Sequence, residues 1–141
     1  MSERNVELYR RLFEAYNTRD METMIACCDP SIEFHSAFAS VDSEIYHGHD
    51  GWRKFMRDMS DAWGNESRVE PESYFDLGEQ TLAYFVLHGH GSHSGAEVAM
   101  PLTQVARWRD GRIVYLKSYT RREDALRDLG VSEGELEPIA P

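Results

Sequence analysis

The chain has 141 residues, 41% hydrophobic and 28% charged, and 15 Lys and Arg against 25 Asp and Glu leave a formal charge of −10. That balance is one of a single ordinary globular domain rather than a disordered chain. The acidic excess argues against nucleic acid or an anionic membrane surface as the main partner, and no apolar run approaches the ~20 residues of a bilayer span.

In chain order, Val6, Tyr9, Phe13 and Tyr16 recur at helical spacing, with Leu8, Leu12 and Ala15 on the flank. They predict a first helix with a wide apolar stripe. Asn17 to Asp20 break the pattern. Asp20 is a good N-cap for a short second helix carrying Met21, Met24, Ile25 and Cys28, with Asp29-Pro30 ending it. Residues 31–35 alternate in polarity and read as a strand. A loop with Gly48 and Gly51 leads to Asp50, the expected cap of a third helix whose stripe is Trp52, Phe55, Met56, Met59 and Trp63.

The second half reads as four strands, over 69–77, 81–93, 98–109 and 112–120. Turn signals stand at Gly78-Glu79, Ser94-Gly95 and Asp110-Gly111, the last a strong type I′ hairpin signal. Connections this short make neighbouring strands antiparallel. Thr120 to Glu123 has capping-box spacing and should open a last helix with Ala125, Leu126 and Leu129, closed by Gly130. Glu133, Glu135, Glu137 and Pro138 mark an acidic, frayed end. The expected organisation is one α+β domain over 1–130 and a tail over 131–141, with helices gathered against one face of the sheet.

A two-residue loop at Asp110-Gly111 would pair Trp108 with Ile113, Ala106 with Tyr115, Gln104 with Lys117 and Leu102 with Tyr119. Cross-strand partners share a face. The face bearing these residues mixes large aromatics with a few polar groups, as a ligand pocket does, and is expected to point inward. Carried through Ser94-Gly95, this register turns Ala83, Phe85, Leu87, Gly89 and Gly91 inward and Tyr84, Val86, His88 and His90 outward. The glycines read as bend points of a curled strand.

The element order, with Leu12-Phe13-Glu14-Ala15-Tyr16-Asn17, Asp29-Pro30-Ser31-Ile32-Glu33-Phe34, Tyr46-His47-Gly48-His49-Asp50-Gly51 and Arg109-Asp110-Gly111-Arg112-Ile113-Val114, resembles the nuclear transport factor 2-like superfamily. The branch it is most similar to is the SnoaL-like, polyketide cyclase-like and ketosteroid isomerase-like one. The resemblance implies a cone-like, curved antiparallel sheet, a cystatin-like roll wrapped around the N-terminal helices. It also implies a deep apolar cavity against the first and third helices, and a homodimer through the outer sheet face.

The resemblance further places His35 about where the isomerases carry their general base, and an imidazole can serve that role near neutral pH. Gln104 could donate to a developing oxyanion with Tyr119 beside it. Tyr16, Trp63, Phe85, Leu102, Trp108 and Tyr115 are the expected ligand contacts. The acid pair of the isomerases is absent, and Arg121 stands where the cyclases carry an acid. Two readings therefore stay open. One is a cofactor-free isomerase, cyclase or dehydratase acting on a small hydrophobic carbonyl compound. The other is a non-catalytic ligand-binding or accessory dimerisation module.

No metal or organic cofactor is expected. Of the histidine cluster His88, His90 and His93, only two share a strand face, short of the three or four ligands a metal needs. Residues 1–11 are charged and lack an export signal, and Cys27 and Cys28 are adjacent, buried-type thiols that cannot bridge one another, so the expected location is cytoplasmic.

Overall fold

The computed structural model describes residues 2–36, 45–91 and 95–141. The predicted α+β class holds: four α-helices stand against one curved, six-stranded sheet. The helices are α1 (Ser2–Thr18), α2 (Met21–Ala26), α3 (Gly48–Trp63) and α4 (Arg122–Leu129). The strands are β1 (Cys28–His35), β2 (Ile45–His47), β3 (Arg68–Asp76), β4 (Gln80–His90), β5 (Glu97–Arg109) and β6 (Arg112–Tyr119). Their order is β2-β1-β6-β5-β4-β3. The meander β3 to β6 is antiparallel as expected, but the sheet as a whole is mixed, because β1 joins β6 in parallel. A strand arriving from the helical third through a long crossover can pair that way, whereas a hairpin cannot.

Local chemistry explains the boundaries, and corrects several. Asp20 caps α2 as predicted, accepting from the Thr23 amide at 3.1 Å and the Thr23 hydroxyl at 2.6 Å. The helix stops at Ala26, however, with Cys27 as its C-cap. Cys28, Asp29 and Pro30 are the start of β1 rather than the end of a helix. Asp50 does not cap α3, which begins two residues earlier, and instead pairs with Arg53 at 2.8 Å inside the first turn. The capping box at Thr120 does not form either, since α4 opens at Arg122 from an extended Arg121 with no side-chain cap. Residues 92–94, and with them His93 and part of the Ser94-Gly95 turn, lie outside the described residues.

The Asp110-Gly111 hairpin is present, with φ of 52° and 77° at its two turn residues, the positive values a type I′ turn requires and the reason glycine holds the second position. Trp108 pairs with Ile113 as expected. One residue further the register slips: Arg107 faces Tyr115, Ala106 faces Leu116 and Gln104 faces Ser118, leaving Val114 as the extra residue of a β-bulge. Since strand side chains alternate, that insertion inverts the facing of the rest of β6. Leu116 and Ser118 turn inward, while Tyr115, Lys117 and Tyr119 turn outward, opposite to expectation. On β4 the predicted facing holds, with Ala83, Phe85 and Leu87 in the main core and Tyr84 in the outer cluster.

The main core lies between the concave face and α1 with α3. Phe34 anchors it, its ring 4.6 Å from Phe55 and 5.2 Å from Trp52. A smaller cluster on the convex face holds Phe75, Leu82, Tyr84, Val105 and Tyr119 under Ala125 of α4. The acidic tail is not frayed. Ile139 pairs with Tyr74 through two backbone hydrogen bonds, of 2.9 and 2.7 Å, and satisfies part of the open edge of β3.

Candidate binding cavity under the first and third helices

Between α1, α3 and the concave face the packing leaves a partly open void of about 40 Å³. Leu12 and Phe13 of α1, Trp52, Phe55 and Met59 of α3, and Phe34 and Phe85 of the sheet supply its apolar wall, and Tyr16 and Gln104 also reach it. Space of this size admits one or two water-sized groups. It is far below the ~300 Å³ at which drug-sized pockets begin.

The polar members of the wall are mostly occupied. The Gln104 carboxamide accepts from the Tyr9 hydroxyl at 2.6 Å and donates to the Ser118 hydroxyl at 2.9 Å, all within the protein interior. Burial raises the Tyr9 hydroxyl well above its ordinary range, so it stays protonated and donates. The Tyr16 hydroxyl shares a 2.8 Å hydrogen bond with Ser67, and burial raises it also, against the opposing pull of that bond and of Arg19. One group differs. The indole Nε1–H of Trp52 is buried and has no partner among the described residues. No carboxylate, imidazole or amine of the described residues lines the void.

Residues 9–116 match the SnoaL-like domain. The chain belongs to this family. Among curated proteins none matches the chain. Among solved structures, this SnoaL-like domain is similar to a nuclear transport factor 2-like protein of unknown function from Burkholderia pseudomallei, at 20% identity over 88% of this chain and 95% of that one, with a TM-score of 0.76. It is similar to TerC, co-crystallised with polyporic acid, at 17% identity over 89% and 97% of the two chains and a TM-score of 0.74. It is also similar to a Catenulispora acidiphila protein of ketosteroid isomerase-like fold in complex with trimethylamine, at 13% identity over 89% and 94%, with a TM-score of 0.72. At these identities the likeness is one of fold.

The SnoaL-like domain does not gather its sequence-predicted site residues in one place. Tyr16, Phe85 and Gln104 meet at the void. Leu102 and Trp108 are buried in the same core but away from the void, Trp108 donating to Thr81 at 2.9 Å, and Trp63, partly buried against that core beside Gly89, does not line the void either. A side chain on Gly89 would come within 3.2 Å of the Trp63 Cβ, so the glycine there admits a close approach.

His35, Tyr115 and Tyr119 are on the convex face. His35 bonds Glu33 at 2.5 Å with its ring 5.1 Å from that of Tyr115, and Tyr119 donates to Asp128 at 2.8 Å. None of the three can reach a molecule in the void. For His35 the signal was already present in the strand: Ile32 and Phe34 are its apolar residues, and their parity sends His35 outward. The unpaired indole of Trp52 carried no sequence signal beyond its place in the α3 stripe.

Among the described histidines, His88 pairs with Glu70 at 2.9 Å and His49 bonds the Cys28 carbonyl at 2.9 Å. Cys27 and Cys28 are buried and free, and burial raises both thiols.

Proposed function

We propose that this SnoaL-like domain binds a small apolar molecule bearing one hydrogen-bond acceptor in the void, with the Trp52 indole as anchor, and contributes no proton-transfer group of its own. The observation that carries this reading is the unpartnered, buried Trp52 N–H in a wall whose other polar groups are satisfied. A buried donor left unpaired costs about 1–3 kcal/mol, which an acceptor on the ligand recovers. Entry requires the void to widen, and Met59 in its wall is the adaptable side chain that allows it. That TerC was co-crystallised with polyporic acid and the Catenulispora protein with trimethylamine supports small-molecule binding as the general role.

A cofactor-free isomerase, cyclase or dehydratase needs a general acid or base within hydrogen-bond reach of its substrate. The Tyr16 hydroxyl is already engaged with Ser67, and no carboxylate, imidazole or amine of the described residues lines the void, which favours binding over turnover. Two-dimensional NMR of the indole N–H resonances tests the reading, with cyclohexanone as probe and Trp52→Phe for assignment. A saturable shift of the Trp52 resonance that vanishes in Trp52→Phe is the expected result. Its absence up to the solubility of the ketone overturns the proposal. Exchange of the α-deuterons of deuterated cyclohexanone above the solvent rate would restore the catalytic reading.

The convex face favours a second reading beside the first, pairing of two copies. Ile45 is the exposed large hydrophobic residue among those described, and it lies opposite His35, in turn opposite Lys117, in one cross-strand row. Sedimentation velocity should show a dimer that Ile45→Lys dissociates. A monomer at all concentrations removes this reading and leaves the first untouched.

A further inference from the structure

Helix α3 has a second working face. Trp52, Phe55 and Met59 turn to the void, whereas Arg53, Met56, Arg57 and Ser60 line an open groove of about 490 Å³ on the other side, between α3 and α2. The two spaces share no lining residue. Met21 of α2 faces Met56 across the groove with the buried Met24 beneath them, so its floor is made of flexible, polarisable thioethers. Its rim carries Arg19, Arg53 and Arg57.

In a chain with a formal charge of −10, no carboxylate of the described residues lines this groove. The cations on its rim keep their charge available to different degrees. Arg53 is paired with the exposed Asp50 at 2.8 Å. Arg19 is held by neutral backbone carbonyls of Tyr16, Asn65 and Ser67 at 2.5, 2.8 and 2.6 Å, which orient the guanidinium without cancelling it. Arg57 is exposed and has no ion pair among the described residues. Three arginines over an apolar floor do not suit a bare inorganic anion, which would leave the methionines uncovered, nor a neutral apolar molecule, which would leave the guanidinium groups without a counter-charge. They suit a ligand with both parts, and a guanidinium matches the planar, two-oxygen geometry of a carboxylate.

We infer that this groove binds an amphipathic organic carboxylate, its apolar tail on Met21 and Met56 and its carboxylate on Arg57, with Arg19 and Arg53 adding to the local potential. The site does not depend on the ligand proposed for the void.

The test uses the intact chain with methyl-labelled methionine and three probes of one shape: 4-phenylbutyrate, 4-phenylbutanol and 4-phenylbutylammonium. The carboxylate should bind saturably by calorimetry and shift the methyl resonances of Met21 and Met56. The alcohol should bind at least about five-fold more weakly and the ammonium not at all. Arg57→Ala, an exposed change that leaves the fold intact by circular dichroism, should weaken the carboxylate about five-fold, with Arg57→Lys recovering part of the loss. Val69→Ile, at the wall of the void, should leave this binding unchanged. Equal affinity for carboxylate and alcohol, no binding at all, or shifts confined to Met59 would each overturn the proposal.

Discussion

Gln104 and Tyr119 lie on opposite faces of one sheet. The amide of Gln104 is held by Tyr9 and Ser118 beneath α1, at 2.6 and 2.9 Å, whereas the hydroxyl of Tyr119 bonds Asp128 of α4 at 2.8 Å on the convex side. They are separated by the bulge at Val114, which inverts the parity of β6. Gln104 therefore acts in the interior as a structural bridge, and Tyr119 as a tether for the terminal helix.

The bridge makes a stability prediction. Gln104→Leu strands the buried Tyr9 hydroxyl and the Ser118 hydroxyl together, at an expected cost of about 1–3 kcal/mol in urea unfolding. Tyr9→Phe in the Gln104→Leu background should add less than it does alone, because its partner is already gone. Additive losses would show that the two side chains do not interact.

The tether predicts a pH dependence. The Asp128 carboxyl is held below its ordinary range, chiefly by the Tyr119 hydrogen bond and further by Lys117 and Arg127, against a desolvation that raises it. A carboxyl depressed in the folded state stabilises fully above its unfolded value, near pH ~4, and loses that contribution as pH falls through the folded value. Tyr119→Phe should therefore be less stable than the parent at neutral pH, with the gap in Tm narrowing on acidification. A gap constant with pH would mean that the carboxylate is not the partner that matters.

The void predicts a trade between stability and binding. Val69→Ile adds one methylene at its wall, within the roughly 40 Å³ available, and should raise stability by about 0.5–1 kcal/mol. The same change should weaken the cyclohexanone-induced shift of the Trp52 indole. A gain in stability with no effect on that shift would place the ketone elsewhere.

The tail predicts a local effect. Removing residues 131–141 deletes both backbone bonds between Tyr74 and Ile139, together with the Arg10 contact to the Ala140 carbonyl at 2.8 Å. The Tyr74 amide should lose hydrogen-exchange protection while amides of β5 in the sheet centre keep theirs. Uniform loss along the sheet would show that the tail supports the whole fold rather than one edge.

Much of this molecule is legible in short stretches of chain. Val6, Tyr9, Phe13 and Tyr16 announce α1 because helical periodicity is local, Asp20 announces the start of α2 because a cap satisfies an amide three residues away, and Asp110-Gly111 announces its hairpin through backbone conformations that few residue pairs adopt. The alternation of β4 places Phe85 and Leu87 inward for the same reason. The failed caps at Asp50 and Thr120 show the limit of such signals: a side chain able to cap takes the role only where the backbone enters the helix at that residue, and α3 and α4 begin elsewhere.

The sequence by itself determined the α+β order and the turn at Asp110-Gly111, both of which depend on neighbours a few residues apart. Only the tertiary structure decided which side of the sheet Tyr115 and Tyr119 occupy, that Trp52 is left without a hydrogen-bond partner, and that methionines of two helices meet beneath three arginines. Those outcomes depend on how distant segments fit together, where a single extra residue in β6 exchanges inside for outside.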